Sequence, residues 1–123
     1  MSYKIGDEIS GGIVFAISAD GEHGLIAAKE DLADKHTWSE ANYKCDELIL
    51  DGHKDWYLPS RGELNLMYWN LKKNGLGEFS DDWYWSSMEL DYYHAWCQYF
   101  GDGFQECNGK DVDSKRVRAV RAF

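Results

Sequence analysis

The sequence has little proline, little cysteine and no long apolar run: its 123 residues include one proline and three cysteines. No stretch approaches the roughly 20 apolar residues that cross a membrane, so we expect no membrane insertion. The first eight residues are polar and lack the apolar segment of a signal peptide behind them. We therefore expect a protein that is cytoplasmic, virion-associated or exported by a non-classical route.

The cysteines are odd in number and lack the Cys-x-x-Cys spacing of metal sites. Cys45 falls on the apolar stripe of a predicted helix, which indicates a small core residue. Neither a metal cluster nor a disulfide framework is supported. A bridge between Cys97 and Cys107 on neighbouring strands stays open, and so does the alternative of two free thiols.

Basic residues are also scarce, with 13 against 22 acidic residues and a net charge of −9. Proteins that bind nucleic acid need clustered Lys and Arg to displace counterions from phosphates, so nucleic acid is not an expected partner. The basic residues near the C-terminus are interpreted as part of a salt-bridged structural strand. They are Lys115, Arg116, Arg118 and Arg121.

Motifs for metal binding and catalysis are missing as well. The four histidines lack the i, i+4 pairing of helical metal sites, and the acidic stretches 51–55 and 81–82 lack the alternating aspartates of a calcium loop. Ser86 and Ser87 lack the Gly-x-Ser-x-Gly elbow of hydrolases. We expect no metal, no cofactor and no enzymatic activity.

Aromatic residues, in contrast, are abundant: they make up 15% of the chain and include six Trp and eight Tyr. With 44% hydrophobic residues, one domain spanning 1–123 can bury a core that offsets the chain entropy. The aromatic surplus exceeds what such a core needs. Some aromatic side chains are therefore expected at the surface.

The predicted elements begin with a hairpin formed by runs 12–18 and 24–28, which flank the turn residues Asp20 and Gly21. Capping boxes at 37–40 and 60–63 each predict a helix start. The first helix carries the stripe Ala41, Cys45, Leu48 and Ile49 and ends before Gly52. The second runs from about 61 to 73, with the stripe Leu64, Met67, Tyr68 and Leu71.

Short strands are predicted at 84–88, 94–100, 104–108 and 117–123. Two helices followed by a small antiparallel sheet of these strands make an α+β fold. In the second of these strands, Trp96, Gln98 and Phe100 share one face, while Cys97 and Tyr99 share the other. We predict that the first three are buried and the last two exposed.

Several motifs together resemble a known family: Trp-Tyr-Leu-Pro-Ser-Arg-Gly-Glu-Leu at 56–64, Tyr-Trp-Ser-Ser-x-Glu at 84–89, Ala-Trp-x-Gln-x-Phe-x-x-Gly-x-Gln at 95–105 and the terminal run 117–123. The upstream runs 11–15 and 23–28 also fit. The chain resembles the DUF1566 family, which is similar to the C-terminal domain of the Legionella collagen-like adhesin. The resemblance implies a variant of the C-type lectin fold, with two helices packed on small antiparallel sheets.

Region 88–116 is the predicted ligand-binding surface. It mixes Tyr and Phe at positions outside the core with Gly, Asp and Ser, as binding loops of antibodies do. The 17 candidate positions read as outward-facing are Leu90, Asp91, Tyr92, Tyr93, His94, Cys97, Tyr99, Gly101, Asp102, Phe104, Glu106, Cys107, Gly109, Asp111, Val112, Asp113 and Ser114. All of them except Gly101, Gly109 and Val112 are predicted to bind the ligand.

The resemblance also implies that this region could be diversified, because several lectin-like and DUF1566-containing chains are targets of diversity-generating retroelements. These elements rewrite adenines, typically in the asparagine codon AAC, and the rewritten codon cannot encode Lys, Glu, Gln, Met or Trp. Of the 17 candidate positions, only Glu106 belongs to the excluded group. The pattern is typical of a variable protein of such an element.

The leading hypothesis is a non-enzymatic display domain that binds a protein ligand on another cell or particle. The alternative is an adhesin-type domain that binds a polysaccharide such as a sulfated glycan. A third class, a cysteine-dependent enzyme, is raised because the lectin-like superfamily includes a formylglycine-generating oxidase. A sulfated glycan needs clustered Lys and Arg, whereas this surface is acidic and aromatic, which favours the first hypothesis.

Overall fold

The computed structural model describes residues 2–123 and contains two helices and two antiparallel sheets, so the α+β class is confirmed. The elements follow in the order β1 (Glu8–Ile9), β2 (Gly12–Ile17), β3 (Gly24–Ala28), α1 (Trp38–Glu47), α2 (Arg61–Asn70), β4 (Trp83–Glu89), β5 (His94–Tyr99), β6 (Gln105–Gly109) and β7 (Val120–Ala122). One sheet has the strand order β1-β2-β3-β7 and the other β4-β5-β6.

The N-terminal hairpin is confirmed as the pair β2 and β3. Its longer loop is closed by Ser18, whose N–H donates to the carbonyl of His23 at 2.7 Å. The carboxylate of Asp20 accepts from the N–H of Glu22 at 2.8 Å, which is how aspartate commonly stabilises a turn. The turn residues and the β-branched strand residues therefore both favour the hairpin that forms at this end of the chain.

Both helices begin at the predicted capping boxes. The N–H of Glu63 donates to Ser60 Oγ at 3.1 Å, and the N–H of Ser60 donates back to the Glu63 carboxylate at 2.9 Å. The α2 stripe is buried as predicted, and a 3-10 turn at Lys72–Asn74 follows it. The prediction for α1 was wrong at its end: the helix stops at Glu47 because Leu48 is extended, and Ile49 is 63% exposed.

The last strand does not join the second sheet, although the sequence placed it beside the other C-terminal strands. β7 pairs with β3, with Ala122 opposite Leu25 and Val120 opposite Ala27. The preceding segment 117–119 runs through the core, where Val117 and Ala119 are fully buried. The C-terminal segment thus ties the two sheets together.

The predicted alternation of β5 was correct in its geometry and wrong in its burial. Gln98 and Phe100 are buried under α2, as predicted, but Trp96 on the same face is only partly buried. On the opposite face, Ala95 and Cys97 are buried in a cluster with Trp85. Because α2 packs on one face and the other face lies in the core cluster that also holds Val117, Ala119 and residues of α1, β5 has no fully solvent-facing side.

The basic C-terminal segment is salt-bridged, as predicted. Its ion pairs join Arg118 to Asp31 at 2.9 Å and Arg116 to Asp82 at 2.9 Å, and Arg121 pairs with Asp55. Lys115 is buried without a carboxylate partner in residues 2–123, and its ammonium lies 5.2 Å from the ring centres of Trp83 and Trp85. The segment is structural and does not form a cationic surface.

The three cysteines are free. In the β5–β6 register, Trp96 lies opposite Cys107 and Cys97 opposite Glu106. Residues that face each other across an antiparallel pair project to the same side, so Cys97 and Cys107 project to opposite sides of the sheet. The open alternative of a Cys97–Cys107 bridge is therefore excluded by register.

Candidate functional site

The candidate ligand-binding residues follow the free edge of the second sheet, where β6 pairs only with β5 among the described residues. The β4–β5 turn and the 111–114 loop lie at one end of this strip, and the 101–104 turn lies at the other. The six residues of β5 separate the two ends by about 20 Å. We call this strip, comprising residues 90–94, 101–109 and 111–114, the display edge.

The β4–β5 turn presents two tyrosines from a hydrogen-bonded base. The carboxylate of Asp91 accepts from the N–H of Tyr93 at 2.9 Å, from the N–H of His94 at 2.8 Å and from the His94 ring at 2.9 Å. The hydrogen bond with the His94 side chain, followed by that with the Tyr93 backbone, lowers the pKa of Asp91. Tyr92 and Tyr93 remain 83% and 69% exposed and contact each other edge to face.

The 111–114 loop is anchored to the same end by Lys110, which is buried. Its N–H donates to the carbonyl of Tyr93 at 2.8 Å, and its ammonium pairs with Glu89 at 3.0 Å and lies 4.5 Å over the ring of Trp38. Beyond this anchor, Asp113 accepts from the N–H of Gly109, and Val112 is 86% exposed. A fixed base therefore carries an exposed apolar side chain.

The opposite end of the display edge is the β5–β6 turn. Asp102 accepts from the N–H of Phe104 at 2.9 Å, and Phe104 is 59% exposed. Gly103 has a φ of +88°, and a Cβ there would lie 2.7 Å from the ring of Tyr68. Only glycine meets both requirements, which explains the fixed glycine in the motif.

Carboxylates outnumber cations along the display edge. The acidic residues are Asp91, Asp102, Glu106, Asp111 and Asp113. Lys110 is neutralised by Glu89, so it does not present a free charge to a ligand. Arg61 lies outside the strip, and its guanidinium stacks 3.5 Å over the Trp96 ring. The edge is therefore aromatic and predominantly anionic.

Two of the predicted site residues do not fit an exposed site. Cys97 is buried, its single S–H has two acceptors within reach, the Glu106 carbonyl at 3.3 Å and Asn108 Oδ1 at 3.2 Å, and burial raises its pKa to about 12. Tyr99 is partly buried, with its ring 5.3 Å from that of Trp83. The exposure prediction was wrong for Cys97 because its strand face packs on the core.

A polar network behind the display edge was not predicted. Arg61 Nε donates to Gln105 Oε1 at 2.8 Å, and Gln105 Nε2 donates to Gln98 Oε1 at 3.2 Å. Gln98 Nε2 in turn donates to Asn65 Oδ1 and to the carbonyl of Gly103. The sequence signal was the recurrence of glutamine at two motif positions, and the structure shows that these amides join α2 to β5 and β6.

Residues 2–123 contain no cluster of three His, Cys, Asp or Glu side chains able to hold a metal ion. Within the same residues, neither helix has the length and apolar character needed to span a bilayer. The arrangement offers hydrogen bonding and aromatic contact area, which are the properties of a recognition surface.

Comparison with known proteins gives one family. The model of the Lcl C-terminal domain matches residues 16–121, which is most of the chain and includes the whole display edge. No curated protein matches the sequence.

Proposed function

We propose a function from the premise that this chain belongs to the Lcl C-terminal domain family, DUF1566, and is therefore an adhesin-like domain. We infer that it is a non-enzymatic display domain that binds a protein ligand on another cell or particle. The ligand contacts the display edge. The lectin-like fold that the family resemblance implies stays a prediction.

The observation that carries this proposal is the pairing of exposed rings with hydrogen-bonded turns. Tyr92, Tyr93 and Phe104 are exposed, yet the backbone under each is fixed by Asp91 or Asp102. Aromatic anchors held in place lose little conformational entropy on binding and commonly dominate the energetics of protein interfaces. Such exposed residues contribute little to the stability of the core, so ligand recognition is the best physical explanation for them.

The charge of the display edge distinguishes a protein ligand from the alternative ligand, a polysaccharide such as a sulfated glycan. A sulfated glycan requires a cluster of Lys and Arg, because its binding depends on charge neutralisation. The display edge has five carboxylates, and the buried Lys110 beside it is already paired with Glu89. The anionic edge supports a protein ligand over a sulfated one.

The chemistry of the thiols supports a non-enzymatic role. Burial raises the pKa of Cys45 and of Cys97 to about 12, and burial also raises the pKa of Cys107. The thiolate is the reactive form of cysteine, and each of these shifts disfavours it. A cysteine-dependent oxidase would need the opposite environment.

Diversification of the display edge is part of the proposal. Of the 17 candidate positions, all except Cys97 are exposed or partly exposed, and the motif residues Gln98, Phe100 and Lys110 between them are buried. The adjoining DNA tests the idea. We expect a reverse transcriptase gene and a near-copy of the 3′ coding segment that differs only at adenines. An adjoining region without them would refute diversification and leave the binding proposal to its own test.

Binding is tested with a variant in which Tyr92, Tyr93 and Phe104 are all replaced by Ser, compared with Tyr43→Ser on α1. Tyr43 is 63% exposed and lies outside the display edge, so it matches the loss of an exposed ring. Fluorescently labelled protein is applied to panels of intact cells, either untreated, treated with trypsin or treated with heparinase. Flow cytometry gives the bound fraction, and thermal melts report folding.

We expect the triple variant to melt like the parent and to lose at least tenfold in binding, while Tyr43→Ser binds normally. Trypsin treatment should remove binding and heparinase should not. Sensitivity to heparinase alone would favour the polysaccharide ligand. A triple variant that binds like the parent would refute the display edge as the binding surface.

A further inference from the structure

A second surface feature lies away from the display edge, where the segment after β3 meets the segment after α1. Two adjoining cavities of about 450 Å³ and 390 Å³ open there. They share Leu32, Ala33 and Leu48 in their walls, so they form one continuous groove. We call it the acidic groove, lined mainly by residues 28–34 and 47–51.

The floor of the acidic groove is apolar and fixed in place. Leu32, Leu48 and Leu50 are partly buried and pack against the core cluster that contains Trp56. The N–H of Leu32 donates to the carbonyl of Val117 at 2.8 Å, and Trp56 Nε1 donates to the carbonyl of Leu50 at 3.2 Å. Because the backbone is held from beneath, a ligand would not have to order it.

The rim of the groove has unneutralised negative charge. Glu30, Asp34, Glu47 and Asp51 are exposed, and none of their carboxylates makes a hydrogen bond or ion pair within residues 2–123. The fifth lining carboxylate, Asp31, is engaged inward by Arg118 at 2.9 Å.

Two lysines also line the groove. Lys29 pairs with Glu8 at 3.4 Å, whereas Lys44 makes no ion pair within residues 2–123, so the lining has four free carboxylates and one free ammonium. The groove therefore carries an excess of negative charge.

We propose that the acidic groove binds a short protein segment with leucine-like side chains flanked by Lys or Arg. The two adjoining cavities suit two neighbouring apolar side chains, whose burial on the leucine floor removes apolar surface from water. The free carboxylates attract the flanking cations and repel acidic segments. Since these carboxylates are exposed, their effect should weaken as salt increases.

The test uses the whole chain and three blocked tetrapeptides: Lys-Leu-Leu-Lys, Glu-Leu-Leu-Glu and Lys-Ser-Ser-Lys. Methyl NMR follows Leu32, Leu48 and Leu50 in the groove, with Leu90 and Val112 on the display edge as internal controls. We expect saturable shifts of the groove methyls with Lys-Leu-Leu-Lys and at least tenfold weaker binding of the other two. Binding of Lys-Leu-Leu-Lys should fall several-fold at high salt.

A matched pair of variants isolates the charge. The double variant Glu30→Gln and Asp51→Asn removes two rim charges that have no structural partners, and we expect at least a threefold loss of affinity with an unchanged melt. Asp102→Asn removes one charge from the display edge and should bind the peptide like the parent.

The proposal would be overturned by no saturable shift at millimolar peptide, by equal binding of all three peptides, or by full affinity in the double variant. Shifts confined to Leu90 and Val112 would also overturn it, because the peptide would then occupy the display edge. The Tyr92, Tyr93 and Phe104 triple variant should retain groove binding. The two sites can therefore fail or succeed independently.

Discussion

Replacing Arg118 by Met should destabilise the protein more than any other single loss of charge in the C-terminal segment. The Arg118 side chain is 1% exposed and its Nε donates to Asp31 at 2.9 Å. Its other nitrogens donate to the carbonyls of Ala28 at 2.9 Å, Gly77 at 2.8 Å and Glu78 at 3.4 Å. The guanidinium thus holds three separate chain segments together.

The size of the effect follows from what Met leaves behind. Three carbonyls would lose a charged donor, and Asp31 would keep only Tyr84 Oη at 2.8 Å and a longer contact to Arg116 at 3.7 Å. Removing one partner of a buried ion pair typically costs about 3–5 kcal/mol, against a total stability of about 5–15 kcal/mol. We expect a loss in this range.

Urea unfolding followed by tryptophan fluorescence measures the loss, since the chain has six Trp. Arg121→Met is the matched control, because Arg121 also pairs with a carboxylate, but its partner Asp55 is 64% exposed. Exposed ion pairs typically contribute less than about 1 kcal/mol. If Arg118→Met were as mild as Arg121→Met, the guanidinium would not be the structural link described here.

Two further predictions concern the core and the thiols. Trp85→Ala should lower the free energy of unfolding by about 3–5 kcal/mol because Trp85 is fully buried. Trp96→Ala should lower it clearly less, because the Trp96 ring is partly exposed under Arg61. Equal urea midpoints for the two variants would contradict the burial pattern of β5. Because Cys45 and Cys97 are buried, Ellman's reagent should modify one thiol in the native protein and three after denaturation. The variant Cys107→Ala should abolish the reaction of the native protein. Rapid modification of two thiols in the native protein would refute this.

The elements that the sequence predicted well are those encoded by neighbouring residues. Ser60 and Glu63 are three positions apart and satisfy each other's backbone donors, so the start of α2 needs no tertiary information. The α2 stripe is equally local, since a period of 3.6 residues places Leu64, Met67 and Leu71 on one face. The end of α1 was missed because the departure of Leu48 from the helix is set by packing, which propensity does not report.

The burial of β5 could not be predicted from its alternation. A period of two tells which residues share a face, but it does not tell whether a second layer covers the other face. Cys97 was placed outside because no residue near it in the sequence indicates that its face packs in the core cluster of Trp85, Val117 and Ala119. The sheet to which the last strand belongs was missed for a similar reason, because the pairing of β7 with β3 joins residues almost a hundred positions apart in the sequence.

The candidate site was predictable to the extent that it depends on turns. Tyr92, Tyr93 and Phe104 sit beside Asp91 and Asp102, and an aspartate that caps its own turn leaves the following side chains in solvent. The scaffold behind these turns was not predictable. Arg61 and Gln105 are 44 positions apart and Gln98 and Asn65 are 33 apart, and their hydrogen bonds require the assembled fold.

The amide network that joins α2 to β5 and β6 gives the display edge its physical basis. A buried glutamine costs free energy unless its amide is paired, and the fully buried Gln98 donates to Asn65 on α2 and to the Gly103 carbonyl in the β5–β6 turn. The partly buried Gln105 donates to Gln98 and to the Arg61 carbonyl on α2. Any shift of β6 relative to α2 would break several of these bonds at once, so β6 is held in one position although one of its sides is unpaired. The residues on the strip can therefore vary in chemistry without loss of the strand beneath them, which is the property that a display surface requires.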